Sequence, residues 1–132
     1  MVLVDTTVLI DHFRGKETPE AGYFAAAVLE GDELCVCGLV ITEILQGFSD
    51  EEEYRIARNL LDTLIFLPIF HQTYLLAVDI YREAKRRGHT LHGCIDCLIA
   101  ACAITNNTRL LQSDRDYSAI AKFSKLKFVE FN

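Results

Sequence analysis

The chain has 132 residues, 51% of them apolar, with a formal charge of −6 and five cysteines. That length and apolar share suit one domain over residues 1–132 with a substantial core, and no stretch reads as linker, repeat or low-complexity segment. The acidic balance speaks against nucleic-acid binding through Lys and Arg alone, the odd cysteine count against a disulfide framework, and Asp96 inside the longest weakly charged run, residues 90–107, against a membrane span.

In chain order, MVLV is a short β-branched run that ends at Asp5, and Thr6 or Thr7 is placed to cap a helix over VLIDHFR. A carboxylate this early, without a basic leader or a small-residue cleavage site, is unlike a secretory signal, so a cytosolic protein is expected. Pro19 opens the helical stretch PEAGYFAAAVLEG, closed by Gly31. ELCVCGL is the second strand candidate and leads into VITEILQGF. In SDEEEYRIARNLLDTL, Ser49 stands as N-cap and the acids of the first turn complement the helix dipole.

LIFLPIF is a short strand or connection, and HQTYLLAVDIYREAKRRG repeats apolar residues at helical spacing before a Gly stop. There follow the apolar helix within HGCIDCLIAACAITNN, the strand TRLLQ, the helix RDYSAIAKFSK and a last strand KFVEF. Short strands separated by helices imply right-handed crossovers, hence a mostly parallel sheet with helices on both faces. Such α/β sheets bind ligands at the carboxyl ends of their strands.

That rule draws attention to the acids. Asp5 follows the first strand directly, Asp114 follows RLLQS, and Glu43 lies early in the helix after LCVCG. Each has an ordinary reading by itself: turn chemistry for the two aspartates, a solvated helix face for Glu43. Asp96 is less easily explained, as the only formally charged residue between Thr90 and Thr105. It either caps its helix after Gly93 or needs a compensating cation, because a lone buried carboxylate is costly. Carboxylates gathered at one sheet edge must stay protonated or share a cation. Removing one charge from such a cluster, by Asp5→Asn or Asp96→Asn, is then expected to stabilise the metal-free protein.

The pairs Cys35/Cys37 and Cys94/Cys97 sit in apolar surroundings and read as small core residues rather than zinc ligands. His12, His71, His89 and His92 have no spacing suited to a triad or a zinc site and read as surface or supporting residues. A phosphatase would want a second aspartate two residues after Asp5, where Thr7 stands, and a receiver domain a lysine at a late strand end.

Taken together, VLVDTTVLIDH, GLVITEILQG, RRGHTLHGCIDCLIAACAI and RLLQSDRDYSAIAKF resemble the PIN-domain ribonucleases, and most closely the VapC-type toxins of toxin–antitoxin pairs. The resemblance implies a PIN-like fold and a metal-dependent endoribonuclease. It assigns Asp5, Glu43, Asp96 and Asp114 to catalysis, with Mg²⁺ or Mn²⁺ held by Asp5, Asp96 and Asp114, Asp116 as an accessory acid, and Thr7 as support to Asp5. It also implies an RNA substrate, a homodimer and a VapB-type antitoxin that places a basic side chain near the acids. A housekeeping RNA-processing nuclease and a non-catalytic PIN-like binding module are the alternatives.

Overall fold

A computed structural model describes residues 1–131. Four strands form one parallel sheet in the order β3-β2-β1-β4, where β1 is Val2–Val4, β2 Leu34–Cys37, β3 Ile65–Leu67 and β4 Arg109–Leu111. All residues of β1 and β2 are buried, so these strands read as continuous apolar runs instead of alternating ones. Leu3 faces Cys35 on one side and Leu110 on the other.

The strand order determines where helices go. From β1 to β3 the chain steps one way across the sheet, through α1 (Thr6–Phe13), α2 (Pro19–Glu30), α3 (Gly38–Leu45) and α4 (Glu51–Asp62). It then jumps back past β1 to β4, through α5 (His71–Arg86) and α6 (Ile95–Thr105), and ends its helices with α7 (Arg115–Ala121). Right-handed crossovers in opposite directions put the two groups on opposite faces. The contacts agree: α1 packs on α2 and α3, and α3 on α4, while α5, α6 and α7 pack upon one another. The direction reverses beside β1, which opens a crevice at the carboxyl ends of β1 and β4.

Local chemistry sets the helix boundaries. Thr18 accepts the Ala21 N–H at 3.0 Å ahead of Pro19, and α2 ends at Gly31 in the left-handed region, φ 73°. Two caps differ from expectation. Asp5, not Thr6 or Thr7, caps α1, because its carboxylate accepts the Thr7 N–H and the threonines already lie within the helix. Asp50, not Ser49, caps α4 by accepting from Glu53 N, which leaves the three glutamates in the first turn. Helix α6 is buried nearly all round, with Cys97 and residues 99–103 inaccessible, and its run of small residues lets α5 and the sheet approach closely.

The expected strand in KFVEF reduces to a single parallel bridge between Leu110 and Phe128. Two hydrogen bonds hold it, Leu110 N to Lys127 O at 2.8 Å and Val129 N to Leu110 O at 3.1 Å. The segment lies against a three-residue edge strand that offers little ladder to extend.

Because Leu3 is fully buried at the centre of the sheet, Leu3→Ala should lower the unfolding free energy by about 2–5 kcal/mol. Urea titration followed by circular dichroism measures it; a loss below about 1 kcal/mol would mean that the site collapses around the truncation.

Candidate functional site

The crevice receives side chains from the starts of α1, α6 and α7 and from the last turn of α3, where Glu43 lies later in its helix than its position in the sequence suggested. Asp5 leaves β1 and is 2% exposed. Its backbone N–H donates to Leu111 O at 3.0 Å, which ties it to the end of β4. One carboxylate oxygen, Oδ2, accepts the Thr7 N–H at 3.2 Å and the Thr7 hydroxyl at 2.6 Å; the other, Oδ1, accepts the Tyr117 hydroxyl at 2.7 Å. Thr7 supports Asp5 as expected, and its Oγ1 also accepts from Ser113 N at 3.4 Å. Three donors therefore satisfy a buried carboxylate that, among the described residues, forms no ion pair with Lys or Arg.

Across the crevice, Asp96 lies in the first turn of α6, half-buried, with Cys94 rather than Asp96 at the cap position. Asp114 caps α7 by accepting from Asp116 N at 3.0 Å. One carboxylate oxygen from each of Asp96, Asp114 and Asp116 lies within 4.8 Å of the others, a group able to hold a metal ion. Asp116 thus stands inside the cluster. Asp5 and Glu43 contribute no atom to that group. Asp5 is joined to it by Tyr117, whose hydroxyl also lies 3.4 Å from Asp96 Oδ1. Glu43 approaches from α3, where its Oε1 accepts the Thr6 hydroxyl at 2.7 Å, so neighbouring threonines hold Asp5 and Glu43.

Tyr117 has no role in the sequence reading. Its ring is fully buried and its hydroxyl carries one proton between two carboxylates, given to Asp5 by the shorter contact. Burial and the Asp5 and Asp96 carboxylates push that phenol far above its usual range, so it remains a donor at any working pH. The signal in the sequence was a tyrosine one helical turn after a candidate acid, which by itself looks like core. Exposed His92 meets the cluster from the side, its Nδ1 2.9 Å from Asp116 Oδ2, and this contact raises its pKa. Of the five free cysteines four are buried as expected; Cys94, at the start of α6, is exposed.

Burial, then the carboxylates of Asp114, Asp5 and Asp116, push Asp96 up to about 6. The unfolded chain loses this proton near pH 4, so no penalty exists below that pH; as pH rises from about 4 to about 7 the folded state is increasingly disfavoured. Asp96→Asn should therefore stabilise the metal-free protein at pH 7 by about 1–2 kcal/mol, after allowance for solvent screening, and flatten the pH dependence. Urea melts in EDTA at pH 4.5 and 7 measure it, and equal stabilisation at both would show that charge is not the cause. Asp5→Asn breaks the symmetry expected of the two acids. An amide replaces an acceptor of Asp5 with a donor facing other donors, so this variant is expected to be no more stable than the parent.

Residues 2–123 match the PIN domain family. Ribonuclease VapC11 of Mycobacterium tuberculosis is 30% identical over 138 aligned positions that cover 99% of each chain. The structure of VapBC2 from Rickettsia felis, bound to a promoter DNA fragment, superposes over 100% of both chains with a TM-score of 0.77 at 16% identity. VapBC-1 from nontypeable Haemophilus influenzae superposes over 98% of both with a TM-score of 0.76 at 18% identity. These two likenesses concern the fold, whereas the VapC11 match concerns the sequence from end to end. The parallel sheet, the acid crevice and the full-length sequence likeness lead to one conclusion: the chain belongs to the PIN-domain family, alongside the VapC ribonucleases.

Proposed function

We propose that this protein is a VapC-like toxin, an endoribonuclease that needs Mg²⁺ or Mn²⁺. The observation that carries the reading is the group formed by Asp96, Asp114 and Asp116 at the switch point of a PIN fold whose full-length relatives are named VapC ribonucleases. The donor set fits a hard divalent cation: all three ligands are carboxylate oxygens, with no thiol or imidazole among them. Burial, then the neighbouring carboxylates, raise the pKa of Asp96, and a cation bound there would favour its charged form. Bound Mg²⁺ supplies a more acidic water and positive charge for the phosphate at the scissile bond.

The protein's side chains do the rest. Asp96, Asp114 and Asp116 hold the cation. Asp5, fixed by Thr7 and Tyr117, presents its carboxylate at the same edge as a further ligand or as acceptor of the water's proton. Glu43, steadied by Thr6, bounds the α3 side of the crevice. The nucleophile is water, so the ribose 2′-hydroxyl has no part in bond breaking.

Single-stranded RNA should be cut with Mg²⁺ or Mn²⁺ and left intact with EDTA, giving 5′-phosphate and 3′-hydroxyl ends. Asp5→Asn and Asp96→Asn should each lower the rate at least ~10²-fold. Gel analysis with end-specific labelling decides: cleavage at the parent rate by either variant, or 2′,3′-cyclic phosphate as the main product, would overturn the assignment.

The partner reading rests on two supports. Solved neighbours of this fold are toxin–antitoxin complexes, and an open acid group can accept a partner's Arg or Lys where the cation would sit. We assign a VapB-type antitoxin as inhibitor, and the cytoplasm as the compartment, in keeping with five free thiols and with no helix among the described residues being long and apolar enough to cross a membrane. A homodimer accounts for the apolar side of α5. Phe70, Tyr74, Val78 and Tyr81 recur at helical spacing and are 64, 50, 53 and 39% exposed. Val78→Lys should convert the dimer to monomer in light scattering without loss of helical content. A parent protein that is monomeric at tens of micromolar would remove this assignment.

A further inference from the structure

On the α3 side of the crevice lies a depression of about 290 Å³, formed between α1 and the turn from α3 to α4. Its apolar lining includes Ile44, which is buried, and Ile10, which is partly so. Phe13 and Phe48 also line it and meet edge to face, ring centroids 5.6 Å apart at 84°. Its rim is polar and of both signs: Arg14, Glu53 and Glu43. Arg14 makes no ion pair among the described residues. Glu43 therefore lines this depression and, through its bond to Thr6, stands one residue from the Thr7–Asp5 pair.

Such a lining selects its occupant. Two carboxylates repel a phosphate, so the group that enters is neutral overall. A lining of two aromatic rings and two isoleucines suits a flat ring, and unpaired RNA bases are commonly held by stacking on aromatic side chains. The rim then reads the edges of that ring. A guanidinium donates to two acceptors on one edge, as it does to O6 and N7 of guanine, and a carboxylate accepts from N–H groups. Guanine is the base that offers both edges, with N1–H and the exocyclic amine on its other side. We propose that this depression receives an unpaired guanine next to the scissile phosphate, with Arg14 on its O6/N7 edge and Glu53 on its N1/N2 edge, so that the protein cuts at a fixed distance from a guanine.

This inference rests on the nuclease reading for its place beside the cut, but binding of the base does not need cleavage. Two experiments separate them. In the first, a randomised single-stranded RNA pool is cut with Mg²⁺ and the ends are sequenced. Guanine should be enriched at one position within a few nucleotides of the break. Arg14→Gln and Glu53→Gln, both exposed positions, should each reduce that enrichment about tenfold, read as the ratio of ends at guanine to ends at the other bases within the same digest. In the second, the tetranucleotides UUGU and UUCU are titrated without metal into protein carrying labelled isoleucine methyl groups. UUGU should shift the signals of Ile10 and Ile44 more than UUCU, and Arg14→Gln should abolish the difference.

Cleavage with a flat sequence profile, or a guanine preference unchanged in both variants, would overturn the proposal. So would variants that keep the profile but lose inhibition by the antitoxin, which would make the depression a peptide's seat. If the parent shows guanine-dependent shifts yet never cuts RNA, the nuclease reading fails and the base site stands.

Discussion

The hydrogen bond from the Tyr117 hydroxyl to Asp5 joins positions 112 residues apart, and the arrangement of the crevice depends on it. Asp5 sits at the exit of the central strand, and Tyr117 in the first turns of the final helix. Closing this contact fixes α7 against the end of β1, which in turn points Asp114 and Asp116 at Asp96. The tyrosine ring is among the largest fully buried side chains, so its position is set by packing. Polar geometry in the crevice is thereby inherited from the core, where displacement is opposed by close packing on every side.

Five acids, Asp5, Glu43, Asp96, Asp114 and Asp116, face one opening, and among the described residues no lysine or arginine forms an ion pair with any of them. Helix placement makes this tolerable. Asp5 and Asp114 cap α1 and α7, and Asp96 lies in the first turn of α6, so three helix N-termini turn their positive ends toward the same crevice. The backbone N–H and hydroxyl of Thr7 and the hydroxyl of Tyr117 take up the lone pairs of Asp5. Asp96 receives the least help, only a long contact from Tyr117, and burial, then the charges of Asp114, Asp5 and Asp116, raise its pKa. A cation is the natural complement to a site organised in this way.

Much of this was legible before the structure. Asp5, Asp96 and Asp114 stood out because they sit where an alternating strand–helix pattern delivers residues to one edge, and Asp96 because its surroundings are otherwise apolar. What could not be read is what depends on partners distant in sequence. Tyr117 looks like one more core aromatic until Asp5 is placed over it, and Thr6 looks like a cap until Glu43 arrives from α3. Asp116 read as an accessory because sequence spacing does not say which side of a helix's first turn faces the crevice. The misplaced caps at Thr6 or Thr7 and at Ser49 arose for a simpler reason: adjacent polar residues compete for the same backbone donors, and here an aspartate wins each time. KFVEF has the composition of a strand, but pairing needs an available edge of matching length.

The acid crevice draws on the beginning of the chain and on residues beyond position 113, and this has a consequence for how the protein is made. Synthesis proceeds at about 5–20 residues per second, with N-terminal portions free to fold first. The strands β1, β2 and β3 and the helices α1 to α4 can form their layer early, yet Asp5 then has neither Tyr117 to orient it nor Asp114 and Asp116 beside it. A nascent chain whose α7 has not yet emerged is accordingly without its completed acid group. The assembly that surrounds it, itself built of RNA, is exposed to the finished crevice only after α7 has emerged and docked.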